Sequence, residues 1–163
     1  MRIALSLFFI LPAISLHAQQ QYKVAVVAFY NLENFYDTID NPVVNDDDFT
    51  PGGARNYNSK IYRDKVQHLA TVLSQMGTDI NPDGPAIIGV AEIENDTVLN
   101  DLIHHPLLRS RNYKVVHYDS HDLRGVDVAL LYNPTYFTIE DSRKLFVRLP
   151  EGAKENIFTR DVL

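Results

Sequence analysis

The chain has 163 residues, 45% of them hydrophobic and 22% charged, a balance that supports one sizeable core rather than two. Its formal charge of −6 argues against nonspecific attraction to nucleic acid through net charge alone, although a local basic groove or a metal-mediated contact stays open. It contains no cysteine, so stability must come from packing, with or without a metal, even in a compartment where disulfides form.

The N-terminus reads MRIALSLFFILPAISLHAQQQ. Arg2 supplies a positive start, Ile3 to Ile14 an apolar run, and Leu16-His17-Ala18 a cleavage site, the pattern of a secretory signal peptide over residues 1–18. The competing reading is a membrane anchor, but Pro12 interrupts the run and it falls short of the roughly 20 residues a spanning helix needs. No cysteine follows for lipidation. The expectation is a secreted or periplasmic protein without a stable membrane anchor, and removing the leader with its single Arg2 leaves a charge of −7.

Tyr22 to Tyr30 (YKVAVVAFY) is β-branched and aromatic with no breaker, and predicts a central strand. A polar stretch from Asn31 to Asn58 follows, holding Pro42, Pro51, Gly52, Gly53 and the run Asp46-Asp47-Asp48; loops this long are commonly functional or mobile. No register of that acidic run matches a calcium loop, so it reads as solvated. Tyr62, Val66, Leu69, Leu73 and Met76 repeat with helical spacing, with Ser59 as N-cap candidate and Gly77 as stop. Ala86 to Glu92 predicts a second strand, Thr97 to Leu108 a short helix, and Tyr113 to Tyr118 and Val126 to Tyr132 further strands. Phe137 to Ile139, Lys144 to Leu149 and Asn156 to Leu163 read as additional strands, which together imply a mixed sheet layered against helices.

The chemistry concentrates where strands end. The stretch AIIGVAEIEN drives an apolar strand into Glu92 and Glu94, at the carboxyl end where open α/β sheets place their sites. Strand alternation puts Val90, Glu92 and Glu94 on one face. A carboxylate there is costly unless it is paired, protonated or bound to a cation, and a hard divalent ion such as Mg²⁺ would satisfy it. Capping of the next turn or pairing with a lysine would satisfy it equally. A glycosidase pair of Glu92 and Glu94 is disfavoured, since side chains roughly 6 to 7 Å apart on one strand face do not flank a sugar bond. VAVVAFY likewise runs straight into Asn31-Leu-Glu-Asn34. Two parallel strands joined through a helix would bring Asn31 and Glu92 to one ion.

The blocks AFYNLENFYD, IIGVAEIEN and SHDLRGVDVALLYNP, in that order, together resemble the endonuclease/exonuclease/phosphatase superfamily, the metal-dependent phosphodiesterases related to DNase I, exonuclease III and sphingomyelinases, most closely its secreted bacterial members. The resemblance implies an α/β fold, the four-layered DNase I-like sandwich, of which residues 22–163 would form the N-terminal part. It implies Asn31 and Glu92 as ligands of Mg²⁺ or Mn²⁺, and a phosphodiester substrate: nucleic acid, a nucleotide, or a phospholipid or inositol phosphate head group. Arg124, with Gly125 and Asp127, matches a block of unassigned role; Arg124 is a candidate phosphate contact or the partner of a nearby carboxylate. The family's acid/base histidine, Asp-x-Asn motif and final Asp-His pair have no counterpart here. The catalytic groups are therefore expected beyond Leu163, and this segment by itself is expected to be inactive. A non-catalytic binding module on the same fold is the alternative of another class.

Other histidines rank lower. His117 and His121 share the spacing of a helical zinc pair but straddle a strand end and a polar turn, which predicts solvent exposure. His104 and His105 close a helix and are expected to meet its last carbonyls.

Overall fold

The computed structural model describes residues 24–147 and 160–163. The leader predicted over residues 1–18 lies outside them. Strand β1 (Val26–Phe35) begins later than the sequence suggests and runs on through Asn31. Helix α1 (Ser59–Gln75) follows, then β2 (Pro85–Ile93), helix α2 (Asp96–Ile103), β3 (Lys114–His117) and β4 (Asp127–Tyr132). They form one mixed sheet in the order β1-β2-β4-β3, with β1 parallel to β2 and β4 antiparallel to both β2 and β3. The carboxyl ends of β1, β2 and β3 therefore share one end of the sheet with the start of β4.

Helix α1 is capped by Asn58 rather than Ser59: its side chain accepts from Lys60 N at 2.9 Å and Ile61 N at 3.2 Å. Gly77, at φ +66°, takes the left-handed conformation that ends the helix cheaply. The α1 stripe buries Val66, Leu69, Ala70 and Leu73 against Ile88, Val90, Ala129 and Leu131 of the sheet. Helix α2 stops at Ile103, short of the predicted Leu108, because Pro106 cannot continue it; Leu108 still packs in the same core. No helix among the described residues is long and apolar enough to cross a membrane.

The sheet face away from this core is open at its β1 edge, where Val27 and Phe29 are 69% and 68% exposed. Gly89 sits beside the Phe29 ring, which a Cβ there would approach to 3.0 Å. The fold is mixed α/β, in keeping with the sandwich the resemblance implies; among the described residues it comprises this sheet and the helices over one face.

Three strand expectations change. Phe137 to Ile139 is not a strand, because Asn133 and Pro134 bend the chain into a turn in which Asn133 O accepts from Tyr136 N and Phe137 N at 3.0 and 3.2 Å. Of Lys144 to Leu149 and Asn156 to Leu163, the described parts make only the isolated bridge between Leu145 and Val162; residues 148–159 lie outside the described set. The long loop after β1 is packed rather than loose. Tyr36 stacks on Phe49 at 4.1 Å, Tyr57 meets Phe49 edge-on at 5.7 Å, and Asp46 is only 2% exposed, accepting from Asn41 N instead of being solvated.

Candidate active site

The paired ends of β1 and β2 are irregular. Asn31 pairs with Ala91 and Phe35 with Ile93, so three residues of β1 oppose the single Glu92. Glu33 (φ 54°), Asn34 (φ 57°) and Glu92 (φ 60°) adopt left-handed backbone. Each such non-glycine residue costs on the order of 1–3 kcal/mol, strain that surrounding structure must hold in place. The Glu92 bulge breaks the alternation the sequence implies. Ile93, not Glu92, joins Val90 in the core, and Glu92 and Glu94 enter separate surroundings.

The structure brings Asn31 and Glu92 together. The Asn31 amide hydrogen-bonds the Glu92 carboxylate while its Oδ1 accepts from Glu33 N at 2.7 Å. Asn34 N donates to Glu92 Oε2 at 3.1 Å, and the Arg160 guanidinium lies 3.3 Å from Oε1. The bond from Asn31, then Arg160 and the Asn34 amide, outweigh partial burial and hold the carboxyl below its ordinary range, so it is ionised. Arg160 went unrecognised in the sequence because only long-range folding brings it to Glu92.

Arg124 forms a fork with Asp122: Nε to Oδ1 at 3.1 Å and Nη2 to Oδ2 at 2.8 Å. Asp122 is buried, with its carboxyl held low by Arg124 and Arg160 against the cost of burial. The carboxylate partner envisaged for Arg124 is thus present, and half of the Arg124 side chain still faces solvent. The turn that carries it requires Gly125 at φ 67°, where a Cβ would lie 2.5 Å from Val44. Tyr36 Oη donates to the Arg124 carbonyl at 2.7 Å, tying the turn to the end of β1.

Glu94 is buried among other groups. It accepts from Asp37 N at 2.6 Å, and burial, with the charges of Asp37 and Asp46, pushes its carboxyl up to about 7. His117 overturns the expectation of an exposed histidine, its side chain being 4% exposed. Its Nδ1 lies 3.0 Å from Asp96 Oδ1 and its Nε2 2.9 Å from Asp127 Oδ2. Burial alone would lower its basicity, but Asp127 and Asp96 prevail and raise it. His121 is half-exposed, 3.4 Å from Asp161, and His104 Nδ1 meets the Asn100 carbonyl at 2.8 Å, the helix-end contact expected of it.

A cavity of about 420 Å³ adjoins Asn31, between β1 and α1, and a cleft of about 620 Å³ lies beside α2 and β3. The smaller one touches the strand-end chemistry. Fold and strand ends together define a mixed α/β protein with its polar site at the carboxyl ends of parallel strands. Residues 26–163 match the model of the family described as Endonuclease/Exonuclease/phosphatase family, and the chain belongs to that family, one of phosphodiesterase- and nuclease-type hydrolases that are usually metal-dependent. No curated protein and no solved structure matches.

Proposed function

We propose that the chain supplies the cation- and phosphate-binding strand ends of a metal-dependent phosphodiesterase, a nuclease exported through its N-terminal leader. The observation that carries this reading is the meeting of an ionised Glu92 with the Asn31 amide and the Arg160 guanidinium at the ends of adjacent parallel strands. The donor set fits a hard divalent ion. One anionic oxygen and one amide oxygen with a lone pair to spare suit Mg²⁺ or Mn²⁺, which leave remaining positions to water and phosphate. Asn31 and Glu92 would hold the ion; when bound it would supply charge neutralisation at a phosphate oxygen.

The chain's own residues do the rest of the binding. The left-handed turns at Glu33 and Asn34 aim the Asn34 N–H and the Asn31 side chain at Glu92, fixing the carboxylate before any substrate arrives. Arg160 lies beside Glu92 and shares Asp122 with Arg124, so two guanidinium groups gather at this corner, suited to a phosphate's oxygens. The two guanidinium charges are balanced by Glu92 and Asp122, and a bound divalent ion would tip this corner positive where a phosphodiester would dock.

The test is hydrolysis of a generic phosphodiester by the full-length protein with Mg²⁺ or Mn²⁺. Glu92→Gln is expected to remove the metal-dependent rate. Unchanged activity would take Glu92 out of the site and the reading with it.

A further inference from the structure

His117 ends β3 facing Asp127 at the start of β4, with Asp119 in the following loop and Asp96 at the start of α2 behind it. The ligand atoms of His117, Asp119 and Asp127 all lie within 4.8 Å of one another. Ligands about 2.0–2.2 Å from one ion fall roughly 3 Å apart in adjacent octahedral positions and roughly 3.4 Å apart in a tetrahedral set such as that of Zn²⁺. The 2.9 Å between His117 Nε2 and Asp127 Oδ2 is that of an ion pair, which an ion would replace by entering between the two atoms and spreading them by a few tenths of an ångström. We propose that His117, Asp119 and Asp127 form a second divalent-cation site, separate from the Asn31–Glu92 pair.

Three features beyond that spacing support it. Asp96 lies on the far nitrogen of the ring, the carboxylate–histidine arrangement that keeps a proton on Nδ1 and turns Nε2 toward an ion. Asp127 is held in one orientation because its second oxygen accepts from Ser120 N at 2.7 Å. Asp119, by contrast, is exposed, and its carboxylate makes no hydrogen bond among the described residues. Lys144, the nearby cation, donates instead to the Asp119 carbonyl at 2.6 Å and lies 3.7 Å from Asp161.

One imidazole nitrogen with carboxylate oxygens suits Zn²⁺, Mn²⁺ or Co²⁺ better than Mg²⁺ or Ca²⁺. Binding requires the Nε2 proton to leave His117 for solvent, so metal uptake and proton release are linked.

Zn²⁺ is the probe, and the readouts are titration calorimetry and the ¹⁵N resonances of the imidazoles in the full chain. Saturating Zn²⁺ is expected to shift His117 Nε2 out of the imidazolium range while Nδ1 stays protonated. Asp119→Asn, at an exposed position that should not disturb folding, is expected to weaken this event about tenfold or more, and Asp96→Asn about 10- to 100-fold. Glu92→Gln is expected to leave it unchanged, so that failure of the Asn31–Glu92 reading and failure of this one are told apart. The proposal is overturned if His117 remains an imidazolium in saturating Zn²⁺, or if Asp119→Asn binds Zn²⁺ as the wild type does.

Discussion

Glu92 and Glu94 stand two residues apart, yet the fold treats them in opposite ways. Glu92 meets an amide side chain, a backbone N–H and a guanidinium, and is held in its charged form. Glu94 is packed beside Asp37 and Asp46, with burial as the largest influence, and its carboxyl rises to about 7. The left-handed residue at Glu92 separates them, because it flips the strand's alternation and sends Ile93 into the core between them. A pair of acids in a motif is therefore no guarantee of a pair of acids in a site; one backbone dihedral leaves one charged at the strand ends and sends the other into packing.

The largest expected effect exploits that contrast directly. In the full-length protein, Glu92→Gln should lower the rate of phosphodiester hydrolysis on the order of 10³-fold, beyond the 10- to 100-fold typical of a group outside the ligand set. Glu94→Gln should leave the rate near wild type. Steady-state kinetics with both variants would break the comparison if the two losses were alike.

The pH dependence of stability should also have opposite signs at the two acids. For Glu94 the folded carboxyl lies above its ordinary value of 4.5, so its contribution is fully present below that value and disappears as pH rises through about 7. The amount is about 3 kcal/mol at most, discounted for residual solvent contact. For Glu92 the shift is downward, so its contribution is present above 4.5 and fades as pH falls through the lowered value. Urea denaturation of the wild type and each Gln variant across acid and neutral pH would show the two gaps running in opposite directions.

Smaller effects sharpen the role of strain. Glu33→Gly should stabilise the chain by about 1 kcal/mol, since glycine takes the φ of 54° without a Cβ clash, partly offset by its greater freedom when unfolded. Asn58→Ala should cost about 1 kcal/mol by removing the cap of α1, and serves as a control because it touches neither acid. Thermal melts would rank these two.

Much of this layout was legible from the residues. Two apolar runs ending in Asn31 and Glu92, with a helical stripe between them, foretold parallel strands with neighbouring ends, and the structure has that arrangement. The bulge was not legible, because left-handed backbone at Glu33, Asn34 and Glu92 is imposed by tertiary contacts on residues with no glycine-like preference for it. The burial of Asp46 and His117 escaped because acidic runs and lone histidines usually face water, whereas Asp46 turns inward onto the Asn41 amide and His117 is held between Asp96 and Asp127 of other elements. Arg160 reaches Glu92 across 68 residues of chain, a pairing no local pattern announces.

The most direct measurement is a Mn²⁺ titration followed by electron paramagnetic resonance, on wild type, Glu92→Gln and Glu94→Gln side by side. The account predicts that Glu92→Gln loses one equivalent of bound Mn²⁺ while Glu94→Gln retains it. Equal Mn²⁺ binding by wild type and Glu92→Gln would contradict it.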